Sequence, residues 1–242
     1  MYIPRPFALS DEETAAALRD AGFAYLVTAS AAGLMVSPLP FLYDEAAHSL
    51  VGHVSRANPH WEAGGAESVA IIAGPQAYIS PALYPTKAET GKVVPTWNYE
   101  VLNVHGRLLI HDDPDWVLGL VTALTNRHEQ DRETPWQVTD APTDFTAAQL
   151  RAIVGVELAV SRVEGKAKLS QNQPERNRAG VIAGLTESAS AVDRLVADRV
   201  AERDQRIRSR AAATTGYGRH VAAEHPSARE GSDNLVADGQ AT

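Results

Sequence analysis

Short apolar runs with β-branched residues recur through the first two-thirds of the chain, each cut off by Pro or Gly, and they do not alternate regularly with helical stretches. A parallel α/β sheet needs a crossover helix between successive strands, whereas a barrel or antiparallel sheet accepts strands in series. "FAYLVTA" (23–29) and "LMVSPLPF" (34–41) predict two strands joined by a tight loop. The second is irregular or at an edge, because Pro38 and Pro40 cannot donate to a ladder. "HSLVGHVS" (48–55) predicts a strand ending at Arg56. "SVAIIAG" and "AYIS" predict two more, either side of the Gly74-Pro75 break, and "NVHGRLLIHD" (103–112) resumes extended structure. In "VGVELAVSRVEGKAKLS" the alternation of Val156, Leu158 and Val160 with charged neighbours predicts a long strand.

Helices fall before, between and after these strands. Ser10 and Glu13 form a capping pattern with Asp11 and Glu12 at the positive end of the dipole, and Gly22 supplies a stop. Helical spacing recurs from Pro114 to about His128, "FTAAQLRAIV" predicts a short helix, and Pro174 opens another. From Ala189 to about Arg210 a further helix places Val192, Leu195, Val196, Val200 and Ile207 on one broad face. Its charges alternate in sign, which predicts an ion-paired helix packed on the barrel or on a partner rather than one that reads DNA. Beyond Thr214 the polar, Gly-rich composition reads as a disordered tail. The whole predicts an α+β, mainly β chain: a compact β-barrel with peripheral helices.

Composition narrows the function. The 242 residues suit one large domain with an appendage. The absence of cysteine removes disulfides, thiolate metal sites and a Cys nucleophile. A net charge of -8 repels nucleic acid on average, so direct DNA binding is doubtful. "MYIPRPFALSDEE" has no apolar leader and no run approaches the roughly 20 residues that span a bilayer, so a cytoplasmic, membrane-free protein is expected.

Four segments carry more donor chemistry than scaffolding needs: "SRANPHW" (55–61), "SPALYPTKAETGKVVPTWNYE" (80–100), "NVHG" (103–106) and "GKAKLSQNQ" (165–173). They offer Arg56, Lys87, Lys92, Lys166, Lys168, Ser170, Gln171 and Asn172, with the ring faces of Trp61, Tyr84, Trp97 and Tyr99, and Tyr78 lies close by. A phosphorylated aromatic cofactor asks for that mixture of cations, neutral donors and flat walls.

"GHVSRANPHW", "GPQAYISPALYP", "GKVVPTWNYEVLNVHG", "PWQVTDAPTDF", "IVGVELAVSRVEGKAKLSQNQ" and "RAGV" resemble, in order, the signature segments of PaiB-like proteins, described as FMN-binding negative transcriptional regulators. The likeness covers roughly residues 1–185, leaving a C-terminal helix at 186–210 and the tail at 211–242. It implies an FMN-binding split β-barrel with peripheral helices, and a homodimer with cofactor sites at the subunit interface. The cofactor-binding residues so implied are Arg56, Asn58, Trp61, Tyr78, Lys92 and Thr96. Trp97, Asn98, His105, Lys168, Ser170 and Gln171 complete the set. Any regulatory effect would pass through a metabolite, cofactor or protein partner.

His60 departs from the pattern, since many members carry Gln or an apolar residue there. Neutral imidazole is a good haem ligand, and one PaiB-like branch, the piperazate synthases, uses haem b to form an N–N bond from N5-hydroxyornithine. "RANPHW" and "KLSQNQ" resemble that branch too. The alternative expectation is therefore a haem b enzyme with His60 on the iron and Lys168 and Arg56 holding the substrate carboxylate. The other reading of His60 is an ordinary turn residue hydrogen-bonded near the Asn-Pro bend. A third expectation makes the C-terminal helix and tail a protein-interaction module.

Overall fold

The computed structural model describes residues 1–31 and 33–221, with side chains as far as 212. Its strands are β1 (Phe23–Ser30), β2 (Gly33–Pro40), β3 (Leu42–Asp44), β4 (Ser49–Ser55), β5 (Glu67–Ile79), β6 (Thr96–His111) and β7 (Ile153–Lys168). They form one seven-stranded sheet in the order β2-β1-β5-β6-β7-β4-β3, with every described pairing antiparallel. Helices α1 (Asp11–Arg19), α2 (Thr86–Thr90), α3 (Pro114–Glu129), α4 (Thr143–Arg151), α5 (Glu175–Thr186) and α6 (Ala191–Val221) surround it. No helix among the described residues is long and apolar enough to cross a membrane.

Local chemistry explains most boundaries. Ser10 and Glu13 make the reciprocal capping box of α1. Asp113 caps α3 through the backbone N–H groups of Asp115 and Trp116. β2, with its two prolines, is an edge strand whose ladder partner is β1. The sheet curls so that the corner at Pro40 and Phe41 crosses β4 at Gly52. A Cβ there would meet Pro40 O at 2.8 Å and the Phe41 ring at 3.0 Å. The concave side holds the main core, with Leu26, Phe41, Leu50, Val104, Leu108, Val154, Val156 and Leu158 buried together.

A second core lies at the far end of the sheet. Ile79, Tyr84, Ala167 and Leu169 pack there against Val181 and Leu185 of α5 and Val196, Ala197 and Val200 of α6. This corrects the apolar face expected for α6: Val196 and Val200 are buried, but Val192 and Leu195 are exposed. The expected ion pairing is present, with Asp204 between Arg178 and Arg208, Glu13 held by Arg203 and Arg206, and Arg199 at 3.4 Å from Glu100.

Three boundaries differ from expectation. The Gly74-Pro75 break does not end a strand: β5 runs through it, and a register shift between Ala73 and Gln76 absorbs the residue that cannot donate. β6 begins at Thr96, so part of the predicted loop is ladder, and α2 occupies another part. α6 continues to Val221, past the boundary expected at 210; the rest of the tail expected to be disordered lies outside the described residues.

Candidate functional site

The site residues expected from the sequence separate into two places with opposite character. At the first, the segment 56–61 follows β4 and turns through a 3-10 helix, Pro59–Ala63. Arg56 is committed to the chain: its guanidinium pairs with Asp112 and donates to the carbonyls of Arg151 at 2.8 Å and Ile153 at 3.3 Å. Trp61 Nε1 donates back to Arg56 O at 3.0 Å. Asn58 accepts from the His60 N–H at 3.0 Å and donates to Ser37 Oγ at 2.9 Å.

His60 is fully buried. Its Nδ1 lies 2.9 Å from Ser37 Oγ and its Nε2 lies 2.8 Å from Thr28 Oγ1, which in turn is 2.6 Å from Ser68 Oγ. Ser68 donates to Ala66 O at 3.4 Å. These contacts assign the hydrogens in one direction. Asn58 donates to Ser37, Ser37 to Nδ1, Nε2–H to Thr28, and Thr28 to Ser68, so each hydroxyl both gives and accepts. The ring is neutral and protonated on Nε2, and burial pushes its pKa down. In this arrangement both His60 nitrogens are taken by hydroxyls, and His60, Asn58 and Arg56 tie 56–61 to β1, β2 and β7.

The second place is the mouth of the second core. A pocket of about 200 Å³ is lined by Tyr84, Lys92, Val93, Val94, Thr96, Asn98, Lys168, Ser170, Asn172 and Gln173. It gathers the start of β6, the end of β7 and the turn beyond it. Lys168 Nζ lies 2.6 Å from both Thr96 Oγ1 and Trp97 O. Burial, reinforced by Lys166, pushes its pKa down. Asn98, fully buried, donates to Ser170 Oγ at 2.9 Å and accepts from it at 3.2 Å. Ser170 itself has φ of 61°, a left-handed conformation unusual for a residue with a Cβ and held here by the Asn98 pair and the Gln173 N–H.

Helix α5 supports this rim. Gly180 lets it approach the 81–85 segment, since a Cβ there would meet Leu83 O at 2.2 Å. Asn177 bonds Thr86 and Gln173, and Arg178 donates to Gln173 O at 2.6 Å. Outside the pocket, Tyr78 and Trp97 face each other across β5 and β6, ring centroids 6.1 Å apart, with about half of each exposed.

Two predicted residues fall elsewhere. Gln171 closes a local turn, accepting from Leu169 N and donating to Ala167 O, each at 2.6 Å. His105 lies on the other stretch of β6, 3.2 Å from Glu164. That carboxylate is held down at about 2 by the Met1 amino group, with His105 and Arg162 assisting. The cofactor-binding set implied by the sequence lacks Tyr84 and Gln173. Tyr84 counts for its hydroxyl and not only its ring, and the capped turn at Ser80–Leu83 that delivers it is visible in "SPALY".

Comparison with known proteins bears on this arrangement. A family model described as "Putative FMN-binding domain" matches residues 1–162. A Bacillus subtilis protein, "Protease synthase and sporulation protein PAI 2", is 27% identical over 190 residues, covering 76% of this chain and 89% of its own. An uncharacterized Emericella nidulans protein is 32% identical over 150 residues, 57% of this chain and 60% of that protein. The chain spans between 54% and 63% of the three fungal relatives it matches. Among solved structures, an FAD and heme binding protein from Mycobacterium smegmatis superposes with a TM-score of 0.50 at 18% identity, over 72% of this chain and 78% of that one. The shared fold is the split barrel.

Proposed function

The chain belongs to the FMN-binding domain family, and on that premise we propose that it binds FMN, with the cofactor's phosphate at the Lys168 pocket and its ring against Trp97 and Tyr78. The observation that carries this reading is the pocket's donor set: a half-buried lysine, a second lysine, and the Asn98–Ser170 pair on one small concavity beside two half-exposed aromatic rings. A volume near 200 Å³ holds a phosphoryl group and part of its chain, below the roughly 300–1,000 Å³ usual for a whole ligand. The ring system therefore lies outside, where it needs another wall.

A second copy of the chain supplies that wall in this reading. The convex face of β2, β1 and β5 is apolar in register: Val36, Val27 and Val69 form one rung, Pro38, Tyr25 and Ile71 the next. Leu34, Val36, Phe23 and Tyr25 are exposed there, which is a costly surface for a monomer. The proposed unit is a homodimer. Bound flavin would supply hydride or single-electron transfer, while the chain contributes binding and orientation. The His60 geometry gives no support to haem as the alternative.

The regulator-type role proposed for the protein is indirect. Its net charge is -8, and several arginines along α6 (Arg199, Arg203, Arg206, Arg208) are paired with carboxylates. Purified protein titrated with FMN should quench flavin fluorescence to a stoichiometric end point. Absence of any FMN affinity would overturn the proposal, and salt-dependent, sequence-specific gel shifts would overturn the indirect role.

A further inference from the structure

The Lys168 pocket has more hydrogen-bond donors than its own acceptors can use. Lys168 spends two N–H bonds on Thr96 and Trp97 O, leaving a third. Asn98 Oδ1 is taken by Ser170, and Gln173 Oε1 by Asn177. Against that background Tyr84 stands out. It is only 3% exposed, it lines the pocket, and its buried hydroxyl makes no well-formed hydrogen bond, with the Ser170 hydroxyl as a near neighbour. Burial pushes the phenol pKa up, and the nearby Ser170 hydroxyl draws it back only in part, so the proton stays on the oxygen at neutral pH.

A buried hydroxyl left unpaired is unfavourable unless something else accepts its proton. The ring cannot turn away, because it is packed in the second core with Ile79, Leu169 and Val181. Ser170 Oγ already accepts from Asn98 and donates to it, so an acceptor delivered from outside would complete the Tyr84 hydroxyl. Two lysines and several neutral donors on the same concavity require that acceptor to be anionic, compact and rich in lone pairs.

We propose that Tyr84 is the neutral donor that completes an oxyanion cradle for a phosphate monoester, and that it sets the preference for phosphorylated over unphosphorylated ligand. This rests on the flavin-binding reading above and assigns the tyrosine a part that reading leaves open. Lys168 and Lys92 supply charge, Ser170 and Asn98 fix the rim, and the Tyr84 hydroxyl donates to a phosphoryl oxygen from the core side.

Wild type and Tyr84→Phe would be titrated with FMN and with riboflavin, and their thermal unfolding followed with and without inorganic phosphate. The expected result is a loss of about tenfold or more in FMN affinity, the size of one hydrogen bond to a charged group, with riboflavin affinity unchanged. The ligand-free variant should melt at or above the wild-type temperature, because the hydroxyl removed makes no well-formed hydrogen bond. If FMN binds and Tyr84→Phe keeps the full preference over riboflavin, the Tyr84 assignment is wrong and the flavin reading stands. If neither flavin binds wild type, the flavin reading fails. In that case phosphate stabilisation of wild type that vanishes in Tyr84→Phe upholds the cradle, and no phosphate effect overturns it. A ligand-free Tyr84→Phe that melts well below wild type shows a satisfied hydroxyl and also overturns it.

Discussion

His60 and Tyr84 are both buried polar side chains on loops that follow strands, yet one is complete and the other is not. His60 sits within a directed chain of hydrogen bonds from Asn58 to Ala66 O, every member satisfied. Tyr84 lies in a pocket of donors with its hydroxyl unmatched. A closed network rigidifies a fold, whereas an open one marks where a ligand completes the bonding. Residue type alone does not separate these roles; the state of the partners does.

The comparison breaks most easily at His60. His60→Ala removes the middle of the chain and strands Ser37 and Thr28 in the interior. Unfolding in urea should show a loss of about 2–4 kcal/mol, without change in the FMN affinity of the folded fraction. An unchanged midpoint would mean the network contributes nothing. Lys168→Met keeps the stem and removes the charge. Equilibrium titration should show FMN affinity falling about 10–100-fold with stability nearly intact.

Smaller effects come from pH. The folded-state pKa of His60 is depressed, so the unfolded chain takes up the proton first. Stability from this group is therefore complete above the unfolded value near 6.5 and is lost progressively as pH drops from there through the lower folded value. His60→Gln should flatten that acid limb in a pH series of melts. Lys168 is also depressed, and it carries its charge only below its lowered value. The FMN-to-riboflavin affinity ratio should therefore decline with rising pH before an ordinary lysine would titrate. A ratio flat up to that ordinary range would exclude Lys168 from phosphate binding.

Much of the fold is legible in the sequence because its signals are local. The Ser10–Glu13 box, the prolines of β2 and the period-two pattern of β7 each reflect a nearest-neighbour constraint. The Gly74-Pro75 continuity is not legible, because the register shift that accommodates it depends on β6. Nor is the exposure of Val192 and Leu195, since helical periodicity finds an apolar stripe but not which part of it meets α5.

The site divides the same way. Lys92, Thr96, Asn98, Lys168 and Ser170 stand in donor-rich segments that strand register then brings together. The partners of Arg56 and His60, namely Asp112, Ser37 and Thr28, are not legible, because they come from segments distant in sequence. A histidine in a turn looks available until those hydroxyls are known.

The central claim is that binding resides at the Lys168 pocket and not at the His60 joint. FMN dissociation constants for Lys168→Met and His60→Gln, measured side by side on folded protein, test it directly. The account predicts at least about tenfold weakening for Lys168→Met and a change within about twofold for His60→Gln. The reverse order, with His60→Gln abolishing FMN binding and Lys168→Met sparing it, would contradict it.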